Sequence, residues 1–268
     1  MPCALYLVPC ALSCARPDDP VGRALYLEPC AFILYLATLM PVDKEVYNKI
    51  STALALKHVQ LVAVSKTKPV EDIFELYKLG QRDFGENYVQ ELVEKRLMLP
   101  HDIRWHYIGH LQTNKVKYLA PFIHLIHGVD SFKLLTEINR QAEKHHRVIN
   151  CLLQVHIAQE ESKFGLSEAE LDELIQDLKK AIEVGELKSI KVCGFMGMAS
   201  FSEDLQKVRR EFKYLQMLFD KYAHQTCANC DLTTLSMGMS SDYKVAVEEG
   251  SNLVRIGSLL FGERVREQ

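Results

Sequence analysis

The sequence predicts a single (β/α)8 barrel of the TIM type over residues 40–268. Short apolar runs alternate with amphipathic segments along this part of the chain, and the alternation repeats eight times. Such a pattern is typical of parallel strands joined by right-handed helical crossovers. Eight units in about 220 residues fit a closed barrel. A doubly wound open sheet is the alternative, but no GxGxxG motif follows the first strand.

The predicted strands are short apolar runs that end at turn-forming residues. The first strand, at 61–65, precedes a Thr-Lys-Pro turn, as expected for a buried parallel strand that enters a loop. The seven others are predicted at 82–84, 105–108, 123–126, 150–157, 191–195, 232–236 and 252–256.

Apolar residues at helical spacing lie between these strands. The clearest helix begins at Ser167, because Glu170 three residues later completes a capping box and an apolar stripe follows it. The predicted helices lie at 42–57, 70–77, 88–97, 111–119, 131–145, 167–182, 205–222 and 241–249.

Composition is typical of a soluble globular protein. The chain is 48% hydrophobic and carries a net charge of -3, so no charge imbalance indicates nucleic acid or an anionic membrane as a partner. We expect a cytoplasmic protein. Cys227 and Cys230 form a lone CxxC pair, which is weak evidence for zinc, and no metal site is predicted.

Residues 1–39 differ from the rest of the chain. ALYLVPCA at 4–11 recurs as ALYLEPCA at 24–31, and the apolar run at 31–40 is too short to span a bilayer. The segment lacks the basic region and the cleavage site of a signal peptide. We expect a non-homologous extension that is poorly ordered or not native, with a short targeting or anchoring segment as the alternative.

Lys66 follows the first strand on the same face as Val62 and Val64. In a barrel this side chain stands at the C-terminal mouth, where active sites lie. It is either a surface residue of the loop or an amine in a dry pocket. In a dry pocket its pKa falls and it becomes a nucleophile toward carbonyl groups.

Phosphate is often held after strands seven and eight of such barrels. Ser236 ends the seventh strand, and Gly257 and Ser258 follow the eighth. Glycine permits close backbone approach and serine offers a hydroxyl donor, although both are also ordinary turn residues. Arg255, two residues before Gly257, can project into the same mouth.

An amine opposite a phosphate cradle predicts a phosphorylated aldehyde as ligand. The two candidates are a sugar phosphate in a Schiff-base aldolase and pyridoxal 5'-phosphate. Arg255 favours the second, since a guanidinium group only donates hydrogen bonds and would keep the pyridine nitrogen unprotonated. A ring held in this way is a weak electron sink.

Five blocks of sequence resemble the signature of the pyridoxal phosphate homeostasis proteins. They are VSKTKP at 64–69, FGENYVQE at 84–91, IGHLQTNK at 108–115, LSMGMSSD at 235–242 and RIGSLLFGER at 255–264. The resemblance implies a pyridoxal phosphate-binding barrel similar to the N-terminal domain of alanine racemase, of fold type III without the C-terminal β-domain. Ser258 stands where many members have threonine, and residues 127–130 alter the usual turn after the fourth strand.

The resemblance also implies roles for individual residues. Lys66 would hold the cofactor as an aldimine, Ser236, Gly257 and Ser258 would contact its phosphate, and Arg255 would face the pyridine nitrogen.

The predicted function is that of a cofactor carrier. Racemases of this class need acid/base groups on both faces of the substrate, usually with a C-terminal β-domain, and this sequence ends ten residues after Ser258. We expect a monomer or weak dimer that buffers pyridoxal phosphate or delivers it to apoenzymes, in vitamin B6 and amino-acid homeostasis, with little or no turnover.

Three alternatives stay open. The first is a racemase or decarboxylase that uses Tyr88 or His110 as a base, and the second is a sugar-phosphate aldolase. In the third, Lys68 holds the aldehyde as a second amine.

Overall fold

The computed structural model describes residues 42–158, 165–223 and 229–262. Eight parallel strands, β1 to β8, are hydrogen-bonded in chain order and close into a barrel. The predicted barrel is therefore confirmed, and the open sheet is excluded. The strands are β1 (Gln60–Val64), β2 (Asp83–Glu86), β3 (Arg104–Tyr107), β4 (Leu125–Val129), β5 (Ile149–Val155), β6 (Ile190–Gly197), β7 (Cys230–Ser236) and β8 (Leu253–Ile256).

Helices cover the outer face of the barrel. They are α1 (Lys44–Ala55), α2 (Val70–Lys78), α3 (Val89–Met98), α4 (Val116–Leu119), α5 (Phe132–Lys144), α6 (Glu168–Glu183), α7 (Leu205–Ala223), α8 (Tyr243–Glu248) and α9 (Ser258–Phe261). The capping box of α6 forms as predicted, since Ser167 accepts from the Glu170 N–H and the Glu170 carboxylate accepts from the Ser167 N–H.

Two groups of buried apolar side chains stabilise this arrangement. The larger group lies between the outer face of the sheet and the helices. The smaller one, which we call the interior group, comes from five strands and fills part of the barrel interior. Its members are Val62, Leu125, Leu152, Met196 and Leu253.

Three local predictions differ from the structure. β4 continues to Val129, because that residue pairs with Leu153 of β5, so the predicted turn at 127–130 is mostly strand. The predicted helix at 111–119 is a 3-10 turn, Thr113–Lys115, followed by the short α4. Helix α9 was not predicted.

Some predictions concern residues that the structure does not describe. The expectation for residues 1–39 lies outside the described residues, as does Cys227 of the CxxC pair. None of the helices in the described ranges is long and apolar enough to cross a bilayer.

Candidate functional site

A cavity of about 510 Å³ lies at the C-terminal ends of the barrel strands. Its volume falls within the range of small-molecule sites, about 300–1,000 Å³. Four of the five predicted site residues line it, namely Lys66, Arg255, Gly257 and Ser258. The structure therefore brings the amine after β1 into the same cavity as the loop after β8.

Lys66 lies in the turn after β1, next to a residue with a strained backbone conformation. Thr67 has φ 63, in the left-handed region that β-branched residues rarely adopt. Its N–H donates to Glu91 Oε1 at 2.6 Å, and the N–H of Lys68 donates to the carbonyl of Ser65 at 3.0 Å. These bonds offset the strain, so the direction in which Lys66 leaves the strand is set by its surroundings.

A buried ion-pair network lies directly behind this turn. Lys95 is 5% exposed and donates to the Ser65 carbonyl at 2.7 Å, to Glu86 at 2.8 Å and to Glu91 at 2.6 Å. Burial raises the pKa of Glu86, although the charge of Lys95 opposes this shift. The network connects β1, β2 and α3 and makes the backbone before Lys66 rigid.

Arg255 is held by three hydrogen bonds to residues at the ends of β6 and β7. One terminal nitrogen, Nη1, donates to the Ser236 carbonyl at 3.0 Å and to Ser236 Oγ at 2.6 Å, while Nη2 donates to the Gly197 carbonyl at 3.0 Å. Burial lowers the pKa of Arg255 to about 10, so it is still a cation at neutral pH. It lines the cavity although it is only 4% exposed.

Ser236 differs from its predicted placement. Its side chain is fully buried, and its Oγ lies against Arg255 and at 3.2 Å from His127 Nδ1. It is absent from the cavity wall, where Ser240 and Ser241 of the following loop lie instead. Because Ser236 is the last residue of a strand whose side chains alternate, its hydroxyl points into the barrel beneath Arg255.

The loop after β8 approaches β1 closely. A Cβ atom at Gly257 would lie 3.1 Å from the Val64 carbonyl oxygen and 3.3 Å from Val64 Cβ, which is tighter than ordinary contact. The Gly257 N–H donates to Ser240 Oγ at 3.2 Å, and this bond ties the loops after β7 and β8 together. Ser258 follows at the start of α9.

Further residues line the cavity in addition to the predicted site residues. Asn87 lines the wall after β2, and its buried Oδ1 has no hydrogen-bond partner in the part of the chain that the structure describes. Lys68 also lines the cavity and donates to the Phe261 carbonyl at 2.6 Å. Apolar walls come from Val64, Ile108 and Met198. Asn87 was detectable from the sequence, since it directly follows β2 at the C-terminal mouth of the barrel.

The bases proposed for a racemase lie elsewhere. Tyr88 and His110 are not among the residues that line the cavity. Tyr88 is 57% exposed, and His110 pairs with Asp130 at 3.3 Å.

One cluster with metal-ligand chemistry lies away from the cavity. Ligand atoms of Asp83, His106 and His124 are all within 4.8 Å of one another. However, both Asp83 oxygens accept from Arg104, at 2.7 and 2.5 Å, and one also contacts His106 at 3.0 Å. We therefore interpret the cluster as a hydrogen-bond network.

Comparisons with known proteins agree with this architecture. Residues 45–265 match the family described as "Alanine racemase, N-terminal domain". The pyridoxal phosphate homeostasis protein of Aquifex aeolicus is 43% identical over 76% of this chain and 87% of its own length. The human protein of the same name is 40% identical over 76% of each chain.

Solved structures give the same result. PipY of Synechococcus elongatus, determined with pyridoxal phosphate bound, has a TM-score of 0.71 at 33% identity and covers 81% of this chain and 100% of its own. Alanine racemase of Streptomyces lavendulae shares the fold, with a TM-score of 0.64 at 16% identity over 84% of this chain and 58% of its own. The chain thus belongs to the family of pyridoxal phosphate homeostasis proteins, whose barrel is that of the alanine racemase N-terminal domain.

Proposed function

We propose that this protein binds pyridoxal 5'-phosphate at the cavity and buffers or delivers it, with little or no turnover. The observation that carries the proposal is the convergence of Lys66, Arg255, Gly257 and Ser258 on one cavity. The name of the homologues and the pyridoxal phosphate bound to PipY support the same ligand.

The residues of the cavity fit the chemistry of this cofactor. The apolar walls suit its ring, and the orphaned Asn87 Oδ1 offers an acceptor for a polar substituent. The serine hydroxyls of Ser240, Ser241 and Ser258 can donate to phosphate oxygens. When bound, the cofactor supplies an aldehyde that condenses reversibly with a lysine amine, and Lys66 is the proposed amine.

The environment of Arg255 supports a carrier. Its three hydrogen bonds and its charge present a permanent donor to the cavity. A pyridine nitrogen that faces a guanidinium group stays unprotonated, and the ring then withdraws electrons weakly. The positions of Tyr88 and His110 outside the cavity wall further reduce support for racemase or decarboxylase chemistry.

Delivery defines the proposed partners. They are pyridoxal phosphate itself and the apoenzymes that use it, in a cytoplasmic setting. A transfer assay would mix the loaded protein with an apoenzyme and compare the rate of enzyme activation with that from free cofactor at the same concentration.

The binding experiment is a titration with pyridoxal phosphate. We expect a new visible absorbance band that borohydride abolishes, and mass spectrometry of the reduced protein should place the adduct on Lys66. Lys66→Ala should lose the band, whereas the matched variant Lys68→Ala should keep it. Adduct found on Lys68 in the unsubstituted protein would contradict the assignment of Lys66.

Turnover is tested separately. Loaded protein is incubated with L- and D-amino acids in deuterated water, and exchange of the α-hydrogen is followed by NMR. We expect no exchange above the rate of free cofactor, and exchange at enzymatic rates would contradict the carrier.

A further inference from the structure

Polar side chains from five strands form a continuous line of hydrogen bonds through the barrel interior. We call Asp83, His106, His127, Ser236 and Arg255 the interior chain. Successive contacts measure 3.0 Å from Asp83 Oδ1 to His106 Nε2 and 3.0 Å from His106 Nδ1 to His127 Nε2. They continue with 3.2 Å from His127 Nδ1 to Ser236 Oγ and 2.6 Å from Ser236 Oγ to Arg255 Nη1. The interior chain thus connects the start of β2 to the cofactor cavity.

The two ends of the interior chain have opposite hydrogen-bonding capacities. Arg255 has only donors. Asp83 is an acceptor: burial alone would raise its pKa, but hydrogen bonds from Arg104 and His106 hold the pKa well below its usual range. Because one end can only donate and the other can only accept, the positions of the protons on His106, His127 and Ser236 between them are restricted.

Burial settles the protonation of the two histidines. Both side chains are fully buried, and desolvation lowers the pKa of each. The charged groups that face them, Arg104 beside His106 and Arg255 beside His127, further disfavour an imidazolium, and only Asp83 opposes this on the His106 side. His124 also contacts His106, and its own pKa is lowered to about 4.

With neutral rings, one arrangement satisfies every contact. Asp83 accepts, so His106 carries its proton on Nε2 and its Nδ1 must accept. His127 therefore carries its proton on Nε2 and accepts through Nδ1. The hydroxyl of Ser236 donates to His127, and its oxygen accepts from Arg255. All hydrogen bonds then run in one direction, from Arg255 to Asp83.

We propose that Asp83, His106 and His127 are positioning residues for the cofactor, which act on Arg255 through the one-directional interior chain. Because the Ser236 hydroxyl proton is committed to His127, the hydroxyl cannot rotate, and the lone pairs of its oxygen keep a fixed direction toward Arg255. Among the described residues Arg255 makes three hydrogen bonds, and its other N–H groups can be directed at the cavity that it lines. A residue at the opposite end of the barrel thus affects cofactor binding without touching the cofactor.

The direction of the interior chain is tested by NMR of the histidine ring nitrogens in the unsubstituted, cofactor-free protein at pH 7. We expect His106 and His127 to be neutral, with protonated Nε2 and unprotonated Nδ1. An imidazolium, or a proton on Nδ1 of either ring, would overturn the proposed direction. This measurement does not depend on the proposed function, and it needs no variant that might fail to fold.

The effect on the cofactor rests on the proposed function and needs a second comparison. In Asp83→Asn the acceptor-only end becomes an amide that can also donate, so His127 should show both tautomers. We expect the Kd for pyridoxal phosphate to rise about threefold to tenfold, which corresponds to one net hydrogen bond. The visible absorbance of bound pyridoxal phosphate should also change at a different pH from that in the unsubstituted protein.

The matched control is Arg104→Gln, which removes the ion pair with Asp83 but leaves the carboxylate to accept from His106. The chemical shifts of its histidine ring nitrogens should be unchanged. Its Kd for pyridoxal phosphate should stay within about twofold of that of the unsubstituted protein, well below the effect of losing one net hydrogen bond. Equal effects of the two substitutions, or an unchanged Kd and unchanged His127 shifts in Asp83→Asn, would overturn the proposed coupling. If the unsubstituted protein bound no cofactor but showed the expected tautomers, the proposed function would fail and the direction of the chain would stand.

Discussion

The barrel interior contains two neighbouring regions of opposite character. The interior group, with Leu152 and Met196 among its members, excludes water by apolar packing. The interior chain crosses the same space with five polar side chains, each 0–6% exposed. Apolar packing has no direction, so it stabilises the barrel without transmitting a change from one end to the other. Hydrogen bonds have donors and acceptors, so the interior chain can transmit such a change.

Truncating the interior group should have the largest effect on stability. Leu152 is fully buried, and Leu152→Ala removes its packing and leaves a cavity. We expect a loss of about 2–5 kcal/mol in the free energy of unfolding, measured by urea denaturation. The Kd for pyridoxal phosphate should change little, because Leu152 does not belong to the interior chain. A large change in Kd would remove the functional difference between the two regions.

Breaking the interior chain should lower both stability and affinity. His127→Leu keeps similar volume but leaves His106 Nδ1 and the Ser236 hydroxyl without their partner. We expect a stability loss of about 2–3 kcal/mol, the cost of unsatisfied buried polar groups minus the gain from an apolar side chain. In contrast to Leu152→Ala, the variant should also bind pyridoxal phosphate more weakly. Unchanged affinity would indicate that Arg255 is positioned without His127.

Acid should destabilise the interior chain and not the interior group. Burial lowers the pKa of His106, His127 and His124 in the folded protein, so below pH 6.5 the unfolded chain binds more protons than the native one. Stability therefore falls as the pH falls from 7 to 5. Each histidine that stays neutral in the folded state contributes about 2 kcal/mol to this loss. His124, whose pKa lies near 4 and which is partly exposed, contributes less.

The slope of unfolding free energy against pH measures this difference. His127→Leu should reduce the slope by the contribution of one histidine, while Leu152→Ala should leave the slope unchanged. Asp83 adds a further loss at lower pH, since its folded pKa lies below the unfolded value near 3.8 and its contribution disappears as it protonates. A slope that is the same in both variants would show that His127 binds protons equally in the folded and unfolded chains, so that burial does not lower its pKa.

The smallest effect is expected at the edge of the interior chain. The Arg104 side chain is 47% exposed, so water screens its pair with Asp83. Arg104→Gln should cost less than about 1 kcal/mol by chemical denaturation. A larger loss would indicate that the ion pair, and not the contact between Asp83 and His106, anchors the chain.

Most of the candidate site was accessible from local sequence. Lys66, Gly257 and Ser258 follow predicted strands directly, and parallel strands in a closed barrel bring their C-terminal ends to one mouth. Ser236 also ends a strand, but the direction of its side chain depends on the alternation within β7 and on the presence of Arg255. The buried position of Ser236 beneath Arg255 therefore does not support the prediction that Ser236 contacts phosphate.

The predicted turn at 127–130 was wrong for a different reason. Gly128 follows His127, and a glycine after a short apolar run favours a turn. The strand continues because Val129 pairs with β5, and a Cβ at Gly128 would lie only 2.7 Å from the Gly109 carbonyl oxygen. The glycine is thus required by close packing of neighbouring backbone and not by a turn, which local sequence does not reveal.

The order of the eight strands, the barrel and four of the residues at its mouth followed from the sequence alone, because periodicity and turn chemistry are local properties. Only the tertiary structure decided which interior polar groups meet. Asp83, His106 and Ser236 lie far apart along the chain, and their hydrogen bonds depend on the register of strands from both halves of the barrel. Register arises from packing over the whole sheet, so a direction of hydrogen bonding can be recognised only once the barrel is closed.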